Sequence, residues 1–408
     1  MAHRRSTRRS RGRRRTAGAL AAAAVVLGAG GALPAQAAGA GARHTYIVTL
    51  QRGAGAPSAS SARGKGIVEK YGARVRRTYS SALNGFAVRA DEAQARRLAA
   101  DPAVASVTRD AEVSLRAAAD TAAPSATQAY PPSWGLDRVD QPTGALDGSY
   151  TAPAGGGRGT TIYVIDSGVR TSHRDFGGRA RSGWDFVDDD PVAQDGDGHG
   201  THVAATAAGT QYGVAKRADI VAVRVLDDRG EGTSAEVLAG LDWVLKHARK
   251  PAVVNLSLGA AVAGPVPEWD AGVRAGIRAG LTFTVAAGNA DRPAGSFSPG
   301  RVEQAITVGA TDRADRRSPF SNWGPAVDLF APGDRIVSAS NASDTAAATL
   351  SGTSMAAPHV AGAAALYLAA HPAASPARVS AALLAESSKG AVRNAGRGSP
   401  NRLLRIGD

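Results

Sequence analysis

Gly352-Thr353-Ser354-Met355-Ala356-Ala357-Pro358-His359-Val360-Ala361-Gly362 opens as a tight glycine turn. It runs straight into Ala363-Ala364-Ala365-Leu366-Tyr367-Leu368-Ala369-Ala370, a strong helix former. Ser354 is thereby predicted in the first turn of a helix, where unpaired N–H groups and the positive dipole end favour a developing anion. A serine that attacks a carbonyl needs such a place, because acyl transfer builds an oxyanion beside it. The same residue could serve as an N-cap alone. Segments far upstream decide between these readings.

Thr161-Ile162-Tyr163-Val164-Ile165 reads as a buried strand that ends on a carboxylate, Asp166. His199-Gly200-Thr201-His202-Val203-Ala204 begins a second helix of small residues. A serine alcohol becomes a nucleophile when a base takes its proton, and that base needs a carboxylate to fix its tautomer. Val285-Ala286-Ala287-Gly288-Asn289 sets an amide at the end of another apolar strand, where it could donate to the oxyanion. The order Asp166, His199, Ser354 along the chain is that of subtilisin, not of chymotrypsin or the α/β-hydrolases.

With these residues in place the chain resembles the subtilisin-like serine proteases, and within them the proteinase K and aqualysin branch. The closer likeness rests on Trp134-Gly135-Leu136-Asp137-Arg138, Tyr212-Gly213-Val214-Ala215-Lys216, Val225-Leu226-Asp227-Asp228, Asn255-Leu256-Ser257-Leu258-Gly259 and Ser399-Pro400-Asn401-Arg402-Leu403-Leu404. It spans the chain from about Ala126 to the end. Members of the aqualysin type carry cysteine pairs at positions matching Gly196 with Asp228 and Gly295 with Ala326. This chain has no cysteine.

The net charge of +13 over 408 residues is unevenly spread. Residues 1–37 carry eight arginines and no acid, residues 38–125 carry 13 basic and 7 acidic side chains, and the rest carries 27 and 28. The part with the motifs is near neutral, so a nucleic-acid partner has no support. The arginine block, the apolar run Ala17 to Leu33 and Ala35-Gln36-Ala37 form the three parts of a signal peptide, residues 1–37. A secreted, extracellular protein with no membrane contact after leader removal is expected, and no other segment has the length and apolarity to span a bilayer.

Residues 38–125 read as βαββαβ: a strand His44 to Leu50, a helix Ala62 to Tyr71, and a hairpin pivoting on Asn84-Gly85. A helix Asp91 to Ala100 and a strand Val104 to Val113 complete it. This small ferredoxin-like α+β unit resembles the prosegment of secreted subtilases, which implies that the chain's own propeptide is chaperone and inhibitor. Arg116 to Ser133 is Ala/Ser/Thr/Pro-rich and reads as an exposed linker. The likeness of Ala126-Thr127-Gln128 to a mature start places maturation after Ser125, leaving 126–408 as the peptidase domain.

In that domain apolar strands alternate with helices, which predicts an α/β fold with a parallel sheet covered on both faces. Ligands bind such sheets at the carboxyl ends of strands, and Asp166, Ser257 and Asn289 fall there. By resemblance Gly230 and Gly232 pair with an extended peptide substrate on one side and Ser257, Leu258 and Gly259 on the other, with Ala286, Ala287 and Gly288 leaving an open pocket for apolar or aromatic side chains. Glu231 could favour basic groups further upstream in the substrate. Resemblance also implies structural calcium, held by Asp328 with the carbonyls of Glu303 and Ala305, and a second site at Asp137, Asp140 and Asp147 with Gln141 and Ser149. Zinc at His199 and His202 fits poorly, since Gly200 and Thr201 fill the gap and the spacing is i, i+3. Gly155-Gly156-Gly157-Arg158-Gly159 precedes its strand rather than following one, so it is a loop and not a dinucleotide cradle. A monomeric, self-processed endopeptidase of broad specificity is expected, with a silent binding protein on the same scaffold and an esterase as the rivals.

Overall fold

Apolar runs of five or six residues, each followed by a helix, stack here as parallel strands. The computed structural model describes residues 42–115, 118–119, 131–153, 155–259 and 264–407. The predicted leader and the cut expected after Ser125 lie outside them. Thr161–Asp166, Asp219–Arg224, Ala252–Leu256, Thr282–Ala286 and Ile306–Thr311 are buried nearly throughout. Across the sheet the order runs 388–389, 402–403, 329–332, 306–311, 282–286, 252–256, 161–166, 219–224, 180–185. Only the first pairing is antiparallel.

Alternate residues of each strand serve opposite faces. Ile162 and Val164 pack with the helices His199–Ala208 and Thr353–Ala370, while Tyr163 and Ile165 pack with Ser234–His247 and Pro267–Arg278. Patterning misses two strands. Ala180–Asp185 is a polar edge strand, and Leu329–Pro332 is four residues long and closes on proline.

Residues 44–109 form the expected small unit, a four-stranded antiparallel sheet in the order 74–79, 85–90, 44–50, 104–109 with helices Ala62–Lys70 and Glu92–Ala99. Tyr46, Val48 and Leu50 face its own helices. Ile47, Tyr79, Ala82, Leu83 and Ala87 instead join the core of the large domain. Both faces of this sheet are therefore covered.

Two local readings are corrected. The hairpin does not turn at Asn84-Gly85: the strand Arg74–Tyr79 ends five residues earlier, and Asn84 is spent on Ala59, Gln51 and Pro57. The loop so freed lays the amides of Ser80, Ser81 and Ala82 on Asp242 Oδ1 at 3.0, 2.6 and 2.8 Å. The predicted strand 104–113 breaks in two, because its first half, Val104–Arg109, stays in the small sheet while Glu112–Ser114 crosses to the large domain. At the crossing Asp110 Oδ1 accepts the Ala235 amide at 2.9 Å, at the N-terminus of the Ser234–His247 helix, where a carboxylate is favoured. Arg77 adds a salt bridge to Asp189 at 3.2 Å.

Candidate active site

Asp166 closes its strand fully buried, and its Oδ1 lies 2.7 Å from His199 Nδ1. The same oxygen accepts the Ser167 amide at 2.8 Å, which fixes the carboxylate. His199 starts its helix behind Gly198, whose φ of 109° suits glycine. The turn before it is tied by Asp195, which takes the amides of Asp197, Gly198 and Thr201 and the Ser167 hydroxyl. Burial disfavours the His199 imidazolium, but Asp166, Asp197 and Asp195 outweigh it and hold the pKa above the ordinary histidine value. His199 Nε2 is buried with no partner among the described residues.

Ser354 is the second residue of the Thr353–Ala370 helix. Its Oγ donates to the Ser257 carbonyl at 2.8 Å rather than to His199. Four residues on, Pro358 has no N–H, so the Ser354 carbonyl lacks its helical partner. The Ser257 hydroxyl fills that vacancy at 2.7 Å. Behind it, Asn255 Nδ2 donates to Ser257 Oγ at 2.8 Å and Thr284 Oγ1 to Asn255 Oδ1 at 3.0 Å. This buried chain fixes the serine backbone from the sheet. Sequence reading placed Ser257 on the substrate side and missed Asn255, Thr284 and Pro358, although a proline at i+4 from a helix-start serine is a legible signal.

Asn289 Oδ1 accepts both the amide and the hydroxyl of Thr353 at 2.8 Å. That fixes the amide flip and leaves the NH2 end to other partners. Gly288 adopts φ 99°, and a Cβ there would stand 2.5 Å from Asn322 Nδ2. Ala286, Ala287, Gly288, Asn289, Ser257, Leu258, Gly259 and Ser354 line one pocket, joined by Phe297 and Ser298, which sequence reading did not name. Ser114 and Leu115 of the chain's own N-terminal part line it too.

Those residues arrive as a strand. Glu112–Ser114 pairs antiparallel with Glu231–Thr233, Val113 opposite Gly232, and the Leu115 amide donates to Gly230 O at 3.0 Å. Ala118–Ala119 then pairs with Leu350 and Ser351, beside the Ser354 turn. Ser257, Leu258 and Gly259 line the pocket without strand pairing to this segment among the described residues. Glu231 Oε2 meets Arg229 at 3.4 Å, which already holds Asp227.

His202 and His359 do structural work. His202 Nε2 donates to Ile336 O and His359 Nδ1 to Met355 O, and burial pushes them down to about 3 and about 4. Asp328 Oδ2 accepts the Thr307 amide at 2.8 Å, and burial pushes its carboxyl up to about 6. The donors at the other proposed calcium site are turned inward: Asp137 takes the amides of Asp147 and Gly148, Asp140 that of Thr151, and Asp147 both groups of Ser149. Among the described residues no cluster of three His, Cys, Asp or Glu side chains is arranged around a metal position.

The Subtilase family pattern matches residues 157–407 and the peptidase inhibitor I9 pattern residues 45–116. The chain is 50% identical over 333 residues to an extracellular serine proteinase of Thermus sp. (strain Rt41A), covering 82% of this chain and 78% of that one. It is 45% identical over 334 residues to alkaline serine exoprotease A of Vibrio alginolyticus, covering 82% of this chain and 60% of the relative. A crystal structure of a cold adapted subtilisin-like serine proteinase superposes with a TM-score of 0.65 at 48% identity, over 67% of this chain and 98% of that one. A mostly parallel sheet clad in helices, preceded by a small inhibitor-type unit, is the architecture of a subtilase with its prosegment. The chain belongs to the subtilase family of serine proteases.

Proposed function

We propose that the chain is an exported, self-processing serine endopeptidase of broad specificity that favours apolar or aromatic residues before the cut. The observation that carries this reading is the buried 2.7 Å contact between Asp166 and His199, on the strand-end rim that also holds Ser354 and Asn289. Ser354 Oγ leaves the Ser257 carbonyl by rotation about its side-chain bond and attacks the scissile carbonyl. His199 Nε2 takes the proton and returns it to the departing amine, while Asp166 stabilises the imidazolium. The Asn289 amide and the Ser354 N–H receive the oxyanion. Substrate lies along Glu231–Thr233 as Glu112–Ser114 does, and Ala286, Ala287 and Gly288 leave room for a large side chain.

The inhibitor-type unit acts as its own propeptide. Leu115 is held at Gly230 and Ala118 at Ser351, so the first cut falls between Leu115 and Ala118 and the boundary after Ser125 is a later trimming. Calcium fits Asp328 better than the Asp137 cluster: its buried carboxyl has no ion-pair partner among the described residues, whereas Asp137, Asp140 and Asp147 are occupied by loop amides. Asp328 with the Glu303 and Ala305 carbonyls would hold the ion, which would add a direct countercharge to the distant one of Arg402. The leader and the extracellular names of relatives support export, and no described helix is long and apolar enough to cross a membrane.

Fluorophosphonate labelling of Ser354, combined with peptide mapping of a casein digest, tests the whole reading. Labelled Ser354 with cuts after apolar residues is expected. An unlabelled serine leaves a binding protein, and ester turnover without casein cleavage leaves an esterase.

A further inference from the structure

The glycine-rich run Gly155-Gly156-Gly157-Arg158-Gly159 takes no part in the cleft. It walls an open groove of 770 Å³ at the opposite rim of the large sheet, where the strands Thr161–Asp166 and Asp219–Arg224 begin. Four cations line this groove, Arg158, Arg179, Lys216 and Arg217, against one carboxylate, Asp219.

Two of the cations are anchored by neutral acceptors, with Asp175 as an acidic neighbour, and burial pushes Lys216 down to about 8. Arg179 donates to the carbonyls of Ala208 and Ala218 at 2.7 Å and to Thr210 Oγ1 at 3.0 Å. Lys216 Nζ donates to Thr210 O at 3.1 Å and lies 4.9 Å from the Tyr150 ring centre. Behind them Asp175 is buried and accepts the Gln211 amide. The other two, Arg158 and Arg217, are exposed, and neither guanidinium has a hydrogen bond or ion pair among the described residues. The Arg217 stem runs beneath Gly156, where a Cβ would come within 3.2 Å of Cγ. At Gly155 and Gly159 a Cβ would meet nothing within 4 Å, so φ values of 86° and 83° are what call for glycine, and the backbone there is open to a ligand.

We propose that this groove binds a tetrahedral oxyanion, a phosphate or sulfate ester, through Arg158 and Arg217, with the anchored Arg179 guanidinium beside them adding positive charge. Guanidinium pairs match the oxygen geometry of such esters, and exposed cations without acidic partners keep their donors for a ligand. An extended nucleic-acid track is disfavoured, since the motif-bearing part of the chain carries 27 basic against 28 acidic side chains. Placed away from the cleft, the groove would hold the enzyme on an anionic polymer while the catalytic rim faces outward.

The test uses mature enzyme whose serine is blocked with a sulfonyl fluoride, titrated calorimetrically with tripolyphosphate in one arm and a sulfated oligosaccharide in the other. Binding that weakens as salt rises is expected in at least one arm, and the arm that binds names the ester. The Arg158→Ala/Arg217→Ala variant is expected to lose about tenfold or more in affinity, and Asp219→Asn to gain. Peptide hydrolysis by the unblocked variants is expected to match wild type, since none of these residues lies near the cleft. No binding in either arm at low ionic strength, or equal binding by wild type and the double variant, overturns the proposal.

Discussion

The Leu115 amide donates to the Gly230 carbonyl at 3.0 Å, joining the tail of the inhibitor-type unit to the rim of the cleft. Ala118 pairs with Ser351, next to the Gly352 turn that leads to Ser354, so the proposed first cut lies between Leu115 and Ala118 in sequence. N-terminal sequencing during early maturation is expected to find new termini at Arg116, Ala117 or Ala118, with termini near Ala126 appearing later. A first product that begins at Ala126 rules out this order.

His199 is held above the ordinary histidine value. In the proposed mechanism its neutral imidazole is the working base, so kcat/KM is expected to rise with pH through a value above that of ordinary histidine. Asp197 contributes to that rise. Asp197→Asn is expected to move the limb to lower pH, and a pH–rate profile that does not move would detach Asp197 from the base.

Thr353 holds Asn289 by two hydrogen bonds, which separates donor from orientation. Asn289→Ala is expected to lower kcat by roughly 100- to 1,000-fold, the loss known for this type of donor in subtilisin, with KM nearly unchanged. Thr353→Val keeps the donor but frees its angle, so a smaller loss in kcat is expected. Steady-state kinetics on a peptide ester and a peptide amide measure both.

At Asp328 the linkage runs against the usual carboxylate. A folded pKa of about 6 stands above the unfolded value of 3.8, so burial of this group is tolerated at low pH and becomes a burden as pH rises through 6. The burden without a cation is roughly 3 kcal/mol above that point. Calcium is expected to raise the melting temperature more at pH 8 than at pH 5. Asp328→Asn is expected to abolish that difference and to stabilise the metal-free protein at pH 8. Calorimetric scans with EDTA and with calcium decide it.

A Cβ on Gly295 would lie 3.8 Å from that of Ala326, the spacing of a disulfide, at one of the two positions where the aqualysin type carries cysteines. Gly295→Cys/Ala326→Cys is expected to close spontaneously and add about 3 kcal/mol of stability. Melting with and without reductant shows whether it does.

Much of this was legible because the relevant signals are local. A strand that ends on Asp166 and helices that begin at His199 and Thr353 can be read within short windows, and the fold then brings Asp166 and His199 together. The Thr284–Asn255–Ser257–Ser354 relay was not legible, because its partners are far apart in sequence and each is also an ordinary strand residue. The break at Asp110 escaped for a similar reason: alternation continues through it, and only the large domain draws Glu112–Ser114 out of the small sheet. Asp328 and the Asp137 cluster look alike on paper, and they part only when loop amides are seen to consume one set.

At the other cysteine-pair position, Asp228 leaves no room for a side chain at Gly196, and Arg224 grips Asp228 at 2.6 Å together with Asp185 and Asp188 at 2.6 and 2.7 Å. An ionic knot therefore fastens the corner where relatives of the aqualysin type use a covalent link. Thiols cannot loosen such a knot, while strong brine or acid can.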